Sequence, residues 1–453
     1  MAVSNELKSF AARLPVPLYA VGGCVRDALL GKVSHDMDLC SALRPDEMRR
    51  YAHEAGYDCP VVNERLGTVL LCIGDERYEH TTFRTESYPQ GGAHAPESIA
   101  FTDSIRADAL RRDFSINALY RDVLTNELVD PTGGMRDLER RVLRTTTVDP
   151  TVILQDDGLR ILRLVRFAVT TGFAVEEATW DAAKTHAALL NDIAWERRRQ
   201  ELDRILETDD VLLALHLLTE LHVWPYLIPE ICEAANVPQR PEYHRYDVQE
   251  HLFHSAAMAE PDATHRLMAL LHDIGKPRCL LETGDFHRHA VYGEQMTLTI
   301  LRRLTYPKAF AARVATAVRM HMFDLDGRAK ESTIRKRFVM LGRQGTEDLI
   351  ALREADIRGS GYETEYAATR WRTVYEQMQW DGCPWSVDEL DITGREIMET
   401  LQIPPSAAVS EIKRQLLLHC ACHPQDNRNA KLQICVKDYA IRTNKCDSKR
   451  NKV

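Results

Sequence analysis

Residues 22 to 38 read Gly-Gly-Cys-Val-Arg-Asp-Ala-Leu-Leu-Gly-Lys-Val-Ser-His-Asp-Met-Asp. They follow the apolar run Leu18 to Val21. The order is therefore a β-prone segment, a glycine turn, a helix-like stretch through Leu30, and two aspartates, Asp36 and Asp38, one residue apart. A Gly-Gly pair is ordinarily just a turn, and Asp-x-Asp in a loop is ordinarily a solvated acidic patch. The order gives the pair a use. If Asp38 begins a strand, Met37 points to the opposite face and both carboxylates project the same way, able to share a divalent cation. Mg²⁺ suits such a pair, because it takes hard oxygen ligands, keeps part of its water and completes its shell with phosphates.

With Gly23, Arg26 and Asp27 placed as they stand, this stretch resembles the nucleotidyltransferase signature of class II tRNA nucleotidyltransferases, the family of CCA-adding enzymes and bacterial poly(A) polymerases. The resemblance continues downstream. Tyr78-Glu79-His80-Thr81-Thr82-Phe83-Arg84 is similar to the family's strand in which an acidic residue precedes a Thr-Thr-Phe-Arg-like run. This implies that Glu79, by itself only an exposed strand glutamate, is a third carboxylate that completes the metal cage and helps deprotonate an attacking hydroxyl. Arg111-Arg112-Asp113-Phe114-Ser115-Ile116-Asn117-Ala118 is nearly the family's Arg-Arg-Asp-Phe-Thr-Ile-Asn-Ala motif, with Ser115 in place of Thr. Its arginines carry planar donors suited to phosphate, while Asp113 and Asn117 can hold a ribose or fix an arginine.

A third block, Asp156-Asp157-Gly158-Leu159-Arg160 running on to Ala168, is similar to the family's Glu-Asp-x-x-Arg motif with Asp156 replacing Glu. On a helix, Arg160, Arg163 and Arg166 lie at successive i, i+3 steps and form a basic stripe, with Leu159, Leu162 and Val165 as the apolar one. The plain alternative is an amphipathic helix with a solvated arginine face. The resemblance implies that Asp157 and Arg160 serve as a protein template for the incoming base. A carboxylate accepts from the exocyclic amine of C or A and the guanidinium donates to ring acceptors. The keto groups of U and G would instead meet the carboxylate with an acceptor.

Composition sets the frame. A chain of 453 residues exceeds a single core and calls for two to four domains. Its 28% charged and 44% hydrophobic content is that of an ordinary soluble protein, and no apolar run reaches the roughly 18 residues of a membrane span. The first residues lack the apolar core of a secretory signal, so a cytoplasmic place is expected. Eleven cysteines without a Cys-x-x-Cys pair argue against a disulfide framework or a cysteine zinc site and read as reduced, mostly buried thiols. A net charge of −9 argues against nucleic-acid binding by the whole surface, leaving local tracks. Arg197 to Arg199 form one. The stretch from Lys431 to Val453, with seven Lys or Arg against two acids, is expected to be a solvated, disordered tail offering weak phosphate contact.

Up to about residue 140, short β-prone runs (Tyr19 to Gly22, Thr68 to Ile73, Tyr78 to Phe83, Glu127 to Asp130) alternate with turns. After Pro150 the apolar residues recur at helical spacing, as in Leu212, Leu215, Leu218 and Leu221. Pro and Gly cluster near Pro238 to Pro241 and at Asp381 to Pro384. The expected fold class is α+β: a small mixed β-sheet nucleotidyltransferase head (1–145), then a helical neck for base recognition and RNA binding (146–240), an HD-like body (241–380) and a helical tail with a basic extension (381–453).

In the body stand His251, then His272-Asp273 within Ala-Leu-Leu-His-Asp-Ile-Gly-Lys-Pro, then His289 and His321. This resembles an HD-type metal-dependent phosphohydrolase core, which implies His251, His272 and Asp273 as ligands of a divalent transition metal. The usual terminal aspartate has no clear place in the sequence, and Asp324 is taken for it. His254, His287 and His289 read equally well as surface residues, and the region equally well as a structural helical domain. Together the blocks imply a Mg²⁺-dependent enzyme that adds C, C and A to the tRNA 3′ end from CTP and ATP. Poly(A) synthesis, partial CC- or A-addition, and a phosphohydrolase with an RNA-binding head are the alternatives. The segment from Tyr88 to Phe101 sits where the family has a loop needed to switch from C to A addition. It is not deleted, but it carries no arginine.

Overall fold

In the computed structural model, residues 3–33, 36–88, 96–362 and 366–450 are described; the centre of the Tyr88 to Phe101 segment, residues 89–95, lies outside them. Contacts divide the chain into two compact units, Met1–Cys232 and Glu233–Val453. The class is α+β, with a mixed sheet confined to the first unit.

The strands of the first unit are β1 (Tyr19–Val21), β2 (Asp38–Ser41), β3 (Val61–Asn63), β4 (Thr68–Ile73), β5 (Glu76–Thr82), β6 (Arg84–Ser87), β7 (Ser98–Phe101), β8 (Tyr120–Asp122) and β9 (Leu128–Val129), followed by a short pair, β10 (Val142–Leu143) and β11 (Ala174–Val175). Seven form one sheet in the order β3-β4-β5-β2-β1-β8-β9, and β6 with β7 makes a separate ribbon. Within the sheet β2 runs antiparallel to β1, with Val21 opposite Asp38, and parallel to β5, with Leu39 opposite His80. Val21, Cys40, Phe83 and Tyr120 pack beneath it as a small core. The runs Thr68 to Ile73 and Tyr78 to Phe83 fall on β4 and β5, where alternate positions are buried as the two-residue period requires.

The remainder of this unit is helical. Leu159–Thr171 buries Leu162 and Val165 as expected, but it also buries Arg160, so the arginine face is not solvated. Trp195–Leu206 packs beside it.

Among the described residues the regular elements of the second unit are helices. Val248–Met258 and Ala263–Leu271 each start on an aspartate whose side chain accepts from backbone N–H groups of the first turn: Asp247 from Glu250, and Asp262 from Thr264 and His265. Glu331–Gly359 is two helices meeting at Gly342, whose φ of 74° only glycine adopts cheaply. Phe338, Trp371, Met378, Ile397 and Leu416 form a second core. The basic stretch departs from expectation. Asn429–Arg450 is a helix rather than a disordered tail, because Leu432 and Val436, one helical turn apart, are fully buried in that core. Among the described residues the cysteines are free thiols, and no helix is long and apolar enough to cross a membrane.

Candidate active site and a buried histidine cluster

The turn at Gly22 carries a positive φ of 82° and opens the helix Gly23–Leu29. Asp38 is the first residue of β2, as the spacing requires, and both it and Asp36 are exposed. Because β2 and β5 run parallel in the register Leu39 to His80, Asp38 and Glu79 precede paired residues and fall on the same face. Asp38 feels its surroundings: desolvation by the protein packed around it, then Glu79 and Asp36, push its carboxyl above its ordinary pKa, against the pull of Arg112. Crowded, exposed oxygen donors of this kind suit a hard cation that keeps part of its water, so the residues fit Mg²⁺.

Asp36 and Asp38 line an open cavity of about 1020 Å³ whose walls present ten arginines against five carboxylates. The arginines are held by buried acids. Asp108, 1% exposed, accepts from Arg111 (2.6 Å), Arg112 (3.0 Å) and the Tyr120 hydroxyl (2.8 Å). Burial alone would raise its carboxyl, but Arg112 and Arg111 outweigh burial and hold it well below the usual range. Glu86 on the ribbon accepts from Arg84 (2.6 Å), from Arg111 (3.4 Å) and from the Tyr88 hydroxyl. Asp113 accepts from Arg163 Nε at 2.8 Å and from the Asn117 amide at 3.2 Å. There too Arg163 overcomes burial, and the carboxyl is held down to about 2. The Asn117 carbonyl oxygen in turn accepts from Arg26 at 2.7 Å. Of the two uses open to Asp113 and Asn117 on sequence, fixing an arginine is the one seen.

Asp157 and Arg160 are similarly set. Arg160 donates to the backbone carbonyls of Ile153 (2.7 Å) and Arg111 (2.6 Å), which commits two of its five N–H donors and fixes its plane. Asp157 accepts from Leu159 N at 3.0 Å and from Arg197 at 3.2 Å. Arg166 donates to buried Glu201 at 2.9 Å and stacks over Phe167. Arg26, Arg111, Arg112, Arg160, Arg163 and Arg166 thus share one cavity with Gly23, Asp113, Asn117, Asp157, Asp36 and Asp38. Sequence reading missed Asp108, Glu86, Tyr88 and Glu201. The available signal was a carboxylate three and four residues before the Arg111-Arg112 pair, the spacing of neighbours on one helix.

In the second unit His251, His272, Asp273, His289, His321 and Asp356 are all buried and form two trios, His251-His272-Asp356 and Asp273-His289-His321. Two expectations fall here. Asp324 is not the terminal carboxylate: its oxygens accept from Ala329 N and the Trp371 indole, and Arg370 pairs with it. Asp356 takes the place, with Oδ1 3.2 Å from His251 Nε2. His289 is not a surface residue but 2% exposed, whereas His287 is exposed and His254 stacks on Tyr246. A side chain at Gly275 would collide with the backbone of His289 and Gly293, so this glycine lets the His272-Asp273 turn approach the helix that carries His289. A cavity of about 730 Å³ opens onto the cluster, lined also by Arg240, Tyr243, Lys276, Phe286 and Arg353.

Three family models match in chain order: the poly A polymerase head domain at residues 18–144, the probable RNA and SrmB-binding site of polymerase A at 172–235, and the HD domain at 243–356. The A-adding tRNA nucleotidyltransferase of Deinococcus radiodurans is 31% identical over 433 residues, covering 90% of this chain and 93% of the relative. A CCA-adding enzyme of Lactococcus lactis subsp. cremoris is 38% identical over 215 residues, 46% of this chain and 51% of the relative. The fold is that of the Bacillus stearothermophilus CCA-adding enzyme crystallised with CTP, at a TM-score of 0.71 and 21% identity over 97% of this chain and 98% of that one. With a head, an RNA-binding segment and an HD region matched in order, and a relative aligned along nearly its whole length, the chain belongs to the tRNA nucleotidyltransferase family.

Proposed function

We propose that the chain is a template-independent nucleotidyltransferase that adds C, C and A to the tRNA 3′ end from CTP and ATP, with release of pyrophosphate and with Mg²⁺ at Asp36 and Asp38. The observation that carries this is the cavity itself: arginines preset on buried acids surround a polyphosphate-sized space beside exposed carboxylates. Bound Mg²⁺ would supply activation of the attacking hydroxyl and neutralisation of the leaving pyrophosphate. Asp36 and Asp38 hold it, and Glu79 takes up the proton of the tRNA 3′ hydroxyl. Arg26, Arg111, Arg112, Arg163 and Arg166 bind the triphosphate, with Asp113 and Asn117 keeping Arg163 and Arg26 in place and Gly23 letting the backbone approach. Asp157 and Arg160 read the base edge and reject U and G. The division 1–145, 146–240, 241–380 and 381–453 belongs to the same reading, supported by three family matches that fall one within each of the first three parts. A cytoplasmic place goes with a tRNA substrate.

A second reading has its own support: the relative matched along its length is an A-adding enzyme, so A-addition alone to a tRNA already ending in CC is the narrower alternative. Two substrates separate the readings, one tRNA lacking all three terminal nucleotides and one ending in CC. Each is incubated with Mg²⁺ and each triphosphate, and the 3′ ends are sequenced. CCA on the first supports the full activity; growth of the second only, by a single A, supports the narrower one. For the second unit we propose a divalent transition metal at His251, His272 and Asp273 serving phosphoester hydrolysis, since imidazole and carboxylate together suit such ions.

A further inference from the structure

Three arginines of the first cavity meet on one neutral side chain. The guanidinium carbon of Arg166 lies 4.4 Å from the centre of the Phe167 ring, that of Arg26 5.2 Å and that of Arg163 5.3 Å. They come from two helices: Arg26 from Gly23–Leu29, and Arg163 and Arg166 from Leu159–Thr171, where Arg163 and Phe167 stand one turn apart. The ring is 7% exposed and lines the cavity with them. Phe114, wholly buried, braces it edge to face, with the ring centres 5.7 Å apart and the planes at 79°. Phe114 follows Asp113 in the chain, so the acid that holds Arg163 and the ring that braces Phe167 are neighbours.

Guanidiniums gathered this closely repel one another. Each is already held by a polar partner: Arg26 by the Asn117 carbonyl oxygen, Arg163 by Asp113 and Arg166 by Glu201. A further carboxylate among them would hold them too, but it would cancel charge that a polyphosphate needs. An aromatic ring avoids that cancellation. Its negative π face attracts cations within about 6 Å of its centre, carries no net charge and occupies no N–H group. It therefore orders the arginines and takes nothing from the donors that an anion would bind.

We propose that Phe167 is a positioning residue of this site: its π face gathers Arg26, Arg163 and Arg166 and sets the spacing at which they meet the triphosphate. This rests on the reading of these arginines as triphosphate ligands and adds a side chain that the charge pattern of the sequence could not mark. The ring works on the phosphates through the arginines and not on the base. Its loss should therefore weaken CTP and ATP alike.

The test replaces Phe167 in the full chain by mono-, di- and trifluorinated phenylalanine, which drain the negative face stepwise while nearly keeping the shape, and separately by leucine as Phe167→Leu. Two quantities are read with Mg²⁺ present: the affinity for inorganic tripolyphosphate by calorimetry, and kcat and KM for nucleotide addition to tRNA. The expected result is a stepwise fall in both affinity and kcat/KM along the fluorine series, reaching about tenfold for the trifluorinated ring and for Phe167→Leu. The fall is equal for CTP and ATP, and the thermal unfolding midpoint of the fluorinated proteins does not move. A flat fluorine series, with any loss confined to Phe167→Leu, overturns the proposal and assigns the ring to packing alone. Tripolyphosphate affinity that falls with fluorination in a chain that adds no nucleotide upholds the ring's role and overturns the reading of the reaction instead. A wild-type chain that binds no tripolyphosphate overturns both.

Discussion

The cavity of the first unit and the cluster of the second handle ionised groups in opposite ways. In the cavity the acids proposed to hold a cation, Asp36 and Asp38, are exposed, and the buried acids, Asp108, Asp113 and Glu201, serve to aim arginines. In the cluster every candidate ligand is buried and each ring is fixed from behind by a carbonyl. On the proposed reading the difference follows from the ion. Mg²⁺ gives up water reluctantly and needs room for phosphates, so its ligands stay open. Borderline metals take imidazole in a closed cage whose outer contacts set the tautomer.

The comparison breaks first at Asp36 and Asp38. Replacing either by alanine should lower nucleotide addition by several kcal/mol of transition-state stabilisation, roughly a thousandfold, while tRNA binding by filter retention stays near wild type. Near-normal turnover in both variants would move the active site elsewhere.

A comparable effect, on stability rather than on rate, is expected at Asp108. Asp108→Asn leaves Arg111 and Arg112 without their buried counter-charge, which should cost the first unit about 3–5 kcal/mol in urea unfolding. Metal content of the second unit should not change. A loss under about 1 kcal/mol would mean that the acid is not what presets these arginines.

The smallest effect tests Asp157 and Arg160 as proposed base readers. Asp157→Ala and Arg160→Ala should each relax discrimination against UTP and GTP by about 1–3 kcal/mol, by analogy with other bidentate base contacts. Competition assays with mixed triphosphates measure it. Uniform loss for all four triphosphates would reduce the pair to positioning.

What the sequence made legible was local. Asp36 and Asp38 could be placed on one face because strand alternation needs only neighbouring residues. Leu159–Thr171 was readable from its own periodicity, but the fate of its arginines was not: Arg163 meets Asp113, and Arg166 meets Glu201, across long stretches of chain. Asp356 was invisible for the same reason, since it lies within the unmarked helix Glu331–Gly359 and reaches the cluster only through packing. Asp324 looked better placed, yet a left-handed backbone (φ 53°) and local donors consume its oxygens. In the basic stretch the charge count masked two apolar residues, Leu432 and Val436, that were enough to seat a helix.

The most direct measurement takes nucleotide addition to tRNA and metal-dependent phosphoester hydrolysis on three preparations of the full chain: wild type, Asp38→Ala and His272→Ala. The account predicts that Asp38→Ala loses addition and keeps hydrolysis, while His272→Ala loses hydrolysis and keeps addition within about twofold, because the two sites suit different ions. Either substitution silencing both activities would contradict it.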